Sequence, residues 1–283
     1  MKKKDSFVAP EMVYSATNQL VPNYRVYYLK TGEKILWGLV AFIVGAVVAY
    51  IFYGGIGKDS HGEATTLTYV LNAVIMTIVG LLAVKIFLPI KQKQIHTKRI
   101  KTLHMQFIDL LDSLSASLLA GQNVPSAFIS AKNDLMVQYA EDSFIVTEVS
   151  VIIEGFNNNI PIEQMLSNLG ERSGIKDIYD FGRVFETGYR KGGSIKDIVR
   201  TTHDILSTKN QLEAEIQTKI VSSKNEQNIM LIMPIIIVGM VKMMGSDFAD
   251  NFTSPSGIVF TTIGIIMFVV AYYIGQVVLK IDM

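Results

Sequence analysis

Residues Ile178 to Val199 read IYDFGRVFETGYRKGGSIKDIV, and the Lys-Gly-Gly-Ser within them could be a phosphate cradle or a turn between helices. Backbone N–H groups at a helix start bind anions, and a nearby lysine helps. A Walker loop, however, follows a buried strand and places its lysine after the last glycine, so that consecutive amides wrap the phosphates. Here Lys191 precedes the glycines, and Ile178, Phe181, Phe185 and Tyr189 recur at helical spacing before it. Ser194 with Asp197 three residues on suits the capping of a new helix. The stretch therefore reads as helix, glycine turn, cap and helix.

Helical spacing continues on both sides. Leu103, Phe107, Leu111, Leu114 and Leu118 form one apolar stripe, and Ile145, Val149, Ile152 and Phe156 a second. Ile195, Ile198, Val199, Thr202, Ile205 and Leu206 form a third. Three turns repeat a theme: AGQNVPSAF (Ala120 to Phe128), NNNIPIEQM (Asn157 to Met165) and KGGSIKDIV (Lys191 to Val199) each set a capping residue, Asn123, Asn159 or Ser194, before a branched apolar one, with Gly121 shaping the first. With no alternating strand pattern between residues 91 and 228, the expectation there is an all-α antiparallel helical bundle. Its charges, 16 Lys and Arg against 17 Asp and Glu, argue against a nucleic-acid partner.

The flanks are of another kind. The chain has 283 residues, 49% of them hydrophobic and 18% charged, which points to two sorts of sequence joined together. Segments 35–56 and 257–279 carry no charge, and each is long enough to cross a hydrocarbon core of about 30 Å. Segments 67–90 and 229–245 are expected to cross as well, with Lys85 and Lys242 near their ends reaching toward headgroups. Pro234 predicts a kink in the third span. The resulting layout is an N-terminal segment 1–34, spans 35–56 and 67–90 joined by loop 57–66, the bundle 91–228, spans 229–245 and 257–279 joined by loop 246–256, and a tail 280–283.

Lys30, Lys34, Lys91, Lys93, Lys98, Arg99, Lys101, Lys219 and Lys224 lie on one side of these spans. The opposite loops hold Lys58 against Asp59, Glu63, Asp247 and Asp250. Positive residues favour the cytoplasmic side, so both termini and the bundle are expected in the cytoplasm of a multi-pass cell-membrane protein. Met1-Lys-Lys-Lys resembles a signal-peptide start, but Asp5 and Glu11 follow and no apolar run arrives before Ile35, so cleavage is not expected. There is no cysteine for a disulfide or a thiol nucleophile.

No motif calls for catalysis or a cofactor. His203-Asp204 on a helix is compatible with a sensor kinase, which would need a nucleotide-binding domain that the sequence after residue 228 does not provide. His61, His96, His104 and His203 lack metal-ligand spacing, and no metal site is expected. Glu148, Glu154, Glu163 and Glu171 flank apolar stripes and read as exposed helix faces. Lys85 and Lys242 leave an alternative, a transporter or channel subunit, although their places near the ends of the spans favour anchoring.

The order of parts, with FIDLLDSLSASLLAGQNVPSAF (Phe107 to Phe128), IPIEQMLSNLGERSG (Ile160 to Gly174) and FGRVFETGYRKGGSIKDIVRTTHDIL (Phe181 to Leu206), resembles the type II secretion system F domain family, in particular the inner-membrane platform proteins of Tad (Flp) pilus assembly. Where that family often has Glu-Gly before a basic residue late in the bundle, this chain has Ser222-Ser223 before Lys224. The resemblance implies a non-enzymatic platform in the inner membrane that couples a cytoplasmic hexameric secretion ATPase to pilin or pseudopilin subunits. It further implies assembly with copies of itself or with a paralogous platform protein. On this reading Glu154, Glu171, Arg172, Arg190, Lys191, Gly192 and Gly193 are the expected partner-facing residues.

Overall fold

A computed structural model describes residues 9–57, 63–244 and 251–279. Met1 to Lys4, Asp5, Lys58, Asp59, His61, Asp247, Asp250 and the tail 280–283, which entered the sequence reading, lie outside the described residues. In chain order come strands β1 (Met12–Tyr14) and β2 (Leu20–Pro22), then helices α1 (Thr31–Tyr53), α2 (Thr66–Leu119), α3 (Val124–Gln138), α4 (Phe144–Asn157), α5 (Ile162–Ser173), α6 (Lys176–Lys191), α7 (Ile195–Met243) and α8 (Pro255–Leu279). Among the described residues the fold is all-α apart from one antiparallel hairpin. Helices α1, α2, α7 and α8 each contain a stretch long and apolar enough to cross a membrane. The chain divides into two compact units: Met1–Tyr28 with Gln92–Glu213, and Leu29–Lys91 with Ala214–Met283.

The first unit is a helical bundle around one apolar core. Leu103, Phe107, Leu110, Leu111 and Leu114 of α2 are buried against Phe128 and Leu135 of α3, Ile145, Val149 and Ile152 of α4, and Ile178, Phe181 and Phe185 of α6. Phe107 meets Phe181 edge-on at 5.5 Å, and Phe181 and Phe185 lie 5.7 Å apart, so rings tie α2 to α6. Two residues assigned to the apolar stripes face outward instead: Phe156 is 40% and Ile205 61% exposed. The buried arc of α7 centres on Val199 and Leu206, and Ile205, about 100° round the helix from Leu206, falls outside it.

Helices α5 and α6 approach closely because glycine lets them. A Cβ on Gly170 would lie 2.6 Å from the Tyr179 Cα, and one on Gly182 would lie 3.3 Å from the Leu166 carbonyl group. The turn that opened the sequence reading is a chain reversal: Gly192 has φ +71°, Gly193 N–H donates to Gly188 O at 2.8 Å, and Asp197 N–H donates to Ser194 Oγ at 3.3 Å. Asn123 likewise caps α3 by accepting from Ser126 N–H at 2.9 Å. Asn159 does not start a helix. Its φ of 60° closes α4, with Ile160 N–H returning to Gly155 O at 2.9 Å, and α5 begins after Pro161. The repeated theme thus holds for two helix starts, while the third is a helix end.

The second unit packs differently. Ala41, Gly45 and Ala49 recur every fourth residue along α1 and are buried, and a Cβ on Gly45 would come within 2.7 Å of the Ala83 Cβ. Small residues at this spacing let membrane helices touch backbone to backbone, where no hydrophobic effect drives them together. The Trp37 ring lies 6.2 Å from Phe87 and under the Lys91 ammonium at 3.9 Å, an arrangement suited to a membrane–water interface. Lys242 donates to Phe52 O and Gly54 O, each at 3.2 Å, and so caps the carbonyl end of α1. Pro89 and Pro234 lie within α2 and α7 without ending them.

Gly170→Ala is expected to destabilise the bundle by about 1–3 kcal/mol, since the Tyr179 backbone cannot move aside as a flexible side chain could. Denaturant unfolding of the full chain in detergent, followed by circular dichroism, measures this directly. Gly239→Ala, with nothing within 4 Å of the added methyl, is the control and should leave the midpoint unchanged or slightly raised.

Candidate functional site

The most heavily bonded polar cluster of the bundle joins α4, α5 and the N-terminal segment. Arg172 reaches Glu148 with both terminal nitrogens, at 3.0 and 2.6 Å, while its Nε donates to Asn168 Oδ1 at 2.6 Å and one terminal nitrogen also donates to Pro22 O at 3.1 Å. Tyr24 Oη donates to Glu148 Oε1 at 2.8 Å, and Tyr24 N–H donates to Arg172 O at 3.1 Å. Glu148 is 1% and Arg172 7% exposed. Burial, and then the Glu148 charge, push the Tyr24 phenol well above its ordinary pKa.

The N-terminal segment is held along its length. Gln92 Nε2 donates to Tyr27 O at 2.7 Å, His96 Nε2 bonds Tyr24 O at 2.9 Å, and the Arg99 guanidinium stacks on Tyr27 and Phe144 at 4.9 and 5.4 Å. Tyr24 also meets Phe144 edge-on at 5.6 Å. Val13 and Val21 pair across the hairpin, whose turn is closed by Ser15 N–H donating to Gln19 O at 2.8 Å. Residues 9–28 are therefore a strap bound across α2, α4 and α5.

This placement revises the sequence reading. Glu148 and Glu163, expected on exposed faces, are buried, at 1% and 6% exposure. Arg172, expected to face a partner, is buried and fully engaged within the bundle. Glu154 and Glu171 are exposed on α4 and α5. Arg190, Lys191, Gly192, Gly193 and Ser194 are exposed together at the corner between α6 and α7, and Gly121 is exposed with φ +87° at the turn before α3. At the corner Arg190 pairs with Glu186 at 3.2 Å and approaches Glu163 at 3.6 Å, leaving Glu163 Oε2 buried without a hydrogen-bond partner.

Two further ties hold the bundle. Asp177 receives Lys209 Nζ at 2.9 Å and lies 2.9 Å from His104 Nε2, joining α6 to α7 and α2. The hydrogen bond to Asp177 raises the Lys209 pKa. Tyr139 donates a hydrogen bond to Asp109, and burial together with that bond pushes its phenol up to about 12. His203 sits beside Asp204 at 3.3 Å and Asp112 at 3.8 Å, a paired surface histidine. Among the described residues no group of three or more His, Cys, Asp or Glu is arranged to hold a metal ion. Of the two lysines that suggested transport, Lys242 caps α1 and Lys85 lies exposed on α2.

Tyr24 and the role of Glu148 escaped the sequence reading. Glu148 shares the buried face of Ile145 and Ile152, three and four residues away, and a charge on an apolar stripe is a detectable signal. Nothing local marks Tyr24, whose partner is 124 residues distant.

Arg172→Ala leaves Glu148 buried and uncompensated, and is expected to cost about 3–5 kcal/mol of bundle stability. Tyr24→Phe should cost less, about 1–3 kcal/mol, with the charge pair intact. Because the folded Tyr24 pKa lies above the unfolded value near 10, its contribution is complete below pH 10 and falls away as pH rises beyond it. Denaturation midpoints of wild type and Tyr24→Phe measured from neutral to strongly alkaline pH should therefore converge.

No protein-family model, curated protein or solved structure matches this chain.

Proposed function

We propose that this chain is a non-enzymatic platform of a type IV (Tad or Flp) pilus or type II secretion machine, seated in the cytoplasmic membrane with its bundle in the cytoplasm. In this role it couples a cytoplasmic secretion ATPase to pilin or pseudopilin subunits. The observation that carries the reading is continuity: α2 and α7, 54 and 49 residues long, each run unbroken between a membrane-length apolar stretch and the bundle. At about 1.5 Å per residue these are rods of roughly 80 and 75 Å. A helix resists compression and bending over such lengths far better than a loop does, so a push on the bundle reaches the spans as displacement.

The arrangement of the bundle favours coupling over chemistry. Buried Glu148 and Arg172 bond to each other, to Asn168 and to the Pro22 carbonyl, which rigidifies the elements they join. The α6–α7 corner supplies an exposed, conformationally fixed surface carrying Arg190 and Lys191, from which α7 departs directly. A motor that grips this corner acts directly on α7, one of the two helices that run from the bundle into an apolar stretch.

Charge reversal of the corner, Arg190→Glu with Lys191→Glu, is expected to reduce piliation or secretion at least about tenfold, the effect of losing roughly 1.4 kcal/mol of coupling. The amount of protein in the membrane should stay unchanged. Electron microscopy of filaments beside immunoblots of membrane fractions reads both quantities. Normal filament numbers would remove the corner from the proposal, and solute flux through liposomes holding this protein alone would favour the transporter reading.

A further inference from the structure

Between Glu63 and Asp109 the chain carries no carboxylate, and Lys91, Lys93, Lys98, Arg99 and Lys101 follow the apolar stretch of α2 in close succession. Two of these five are engaged: Lys91 over the Trp37 ring, and Arg99 over Tyr27 and Phe144. The other three are not. Lys93, Lys98 and Lys101 are exposed and make no ion pair or hydrogen bond with another described residue. Gln92 and His96 hold the strap on one face of this stretch of helix, and Lys98 and Lys101 project from the face turned away from it.

We propose that Lys93, Lys98 and Lys101 form a binding strip for anionic lipid headgroups at the membrane surface from which α2 emerges. Position along the helix decides this. Counted from Ile90, the end of the apolar stretch, the three lysines lie at about 4, 12 and 16 Å along the axis. The headgroup layer is roughly 5–7 Å deep, and screening at physiological salt leaves attraction over a further ~8 Å, so all three flexible side chains reach the negative surface potential. Exposed apolar residues Leu82, Ile86 and Ile90 precede the strip on the same helix, which makes the bilayer its nearest anionic neighbour. An acidic protein or a soluble phosphate could use the same charges, but neither accounts for a strip that starts where the apolar stretch stops. The inference holds whether or not the chain is a secretion platform.

The test uses the full chain reconstituted in phosphatidylcholine vesicles, with spin-labelled phosphatidylglycerol and spin-labelled phosphatidylcholine as probes of the lipid shell. Wild type should restrict phosphatidylglycerol about threefold or more over phosphatidylcholine, a preference that weakens as salt is raised. In K93Q/K98Q/K101Q the ratio should approach one, and in K93R/K98R/K101R it should stay at the wild-type value, which separates loss of charge from loss of fold. Should the triple Gln variant fail to insert, K98Q alone is expected to lower the ratio in part. An equal ratio in wild type, or an undiminished one in the Gln variants, overturns the proposal. Loss of the wild-type preference on adding glycerol phosphate at constant ionic strength would assign the strip to a soluble phosphate and overturn the lipid assignment too.

Discussion

A carboxylate and a guanidinium buried side by side, Glu148 against Arg172, set the constraint from which the bundle follows. Removing both charges from water is costly, and attraction offsets that cost only when the remaining donors and acceptors are also matched. Here the matching comes from three places at once: Asn168 on the same helix as Arg172, the phenol of Tyr24, and the carbonyl of Pro22. Any shift of α4 against α5, or of the strap against either, would strand a buried charge. The pair thereby converts a general hydrophobic preference for packing into one specified arrangement, and it makes residues 9–28 an integral part of the bundle.

The two compact units solve the same assembly problem in different solvents. Water drives large apolar side chains of the first unit into a common core, and the Phe107, Phe181 and Phe185 rings occupy its middle. In lipid no such drive exists between apolar helices, and the second unit relies on close approach at Gly45, Gly80 and Ala83 and on polar contacts such as Lys242 to the end of α1 and Tyr53 Oη to Thr262 Oγ1 at 2.9 Å. Helices α2 and α7 belong to both regimes along their length. Each stays one helix although Pro89 lies one residue before the apolar stretch of α2 ends and Pro234 lies inside that of α7.

Much of this was legible in residue spacing. The four apolar stretches, the helical stripes and the glycine corner follow from local rules, because a 3.6-residue period and a cap at Asn123 or Ser194 need no distant partner. The strap was not legible, since strands of three residues are too short to establish a period and their anchors lie on α2, α4 and α5. Glu148 and Arg172 were misread for a different reason. Glu148 reads as surface because it is a carboxylate and Arg172 as partner-facing from the family resemblance, although Ile145 and Ile152 around the one, and Met165 and Leu169 before the other, place both on buried faces. Asn159 shows the reverse ambiguity, because an asparagine before an apolar residue can end a helix in the left-handed region as readily as begin one.

Force transmission requires that α7 pass from bundle to apolar stretch as a single rigid helix. The chain contains no cysteine, so single cysteines carrying a spin label can be placed from Thr201 to Ile232 without background. Label mobility and accessibility in a bilayer should oscillate with the period of an α-helix, about 3.6 residues, through the whole scan. Accessibility to a water-soluble relaxant should give way to accessibility to oxygen near Ile229. Loss of that period between Glu213 and Gln227, with labels there moving freely, would show a flexible joint in place of a rod and contradict the account.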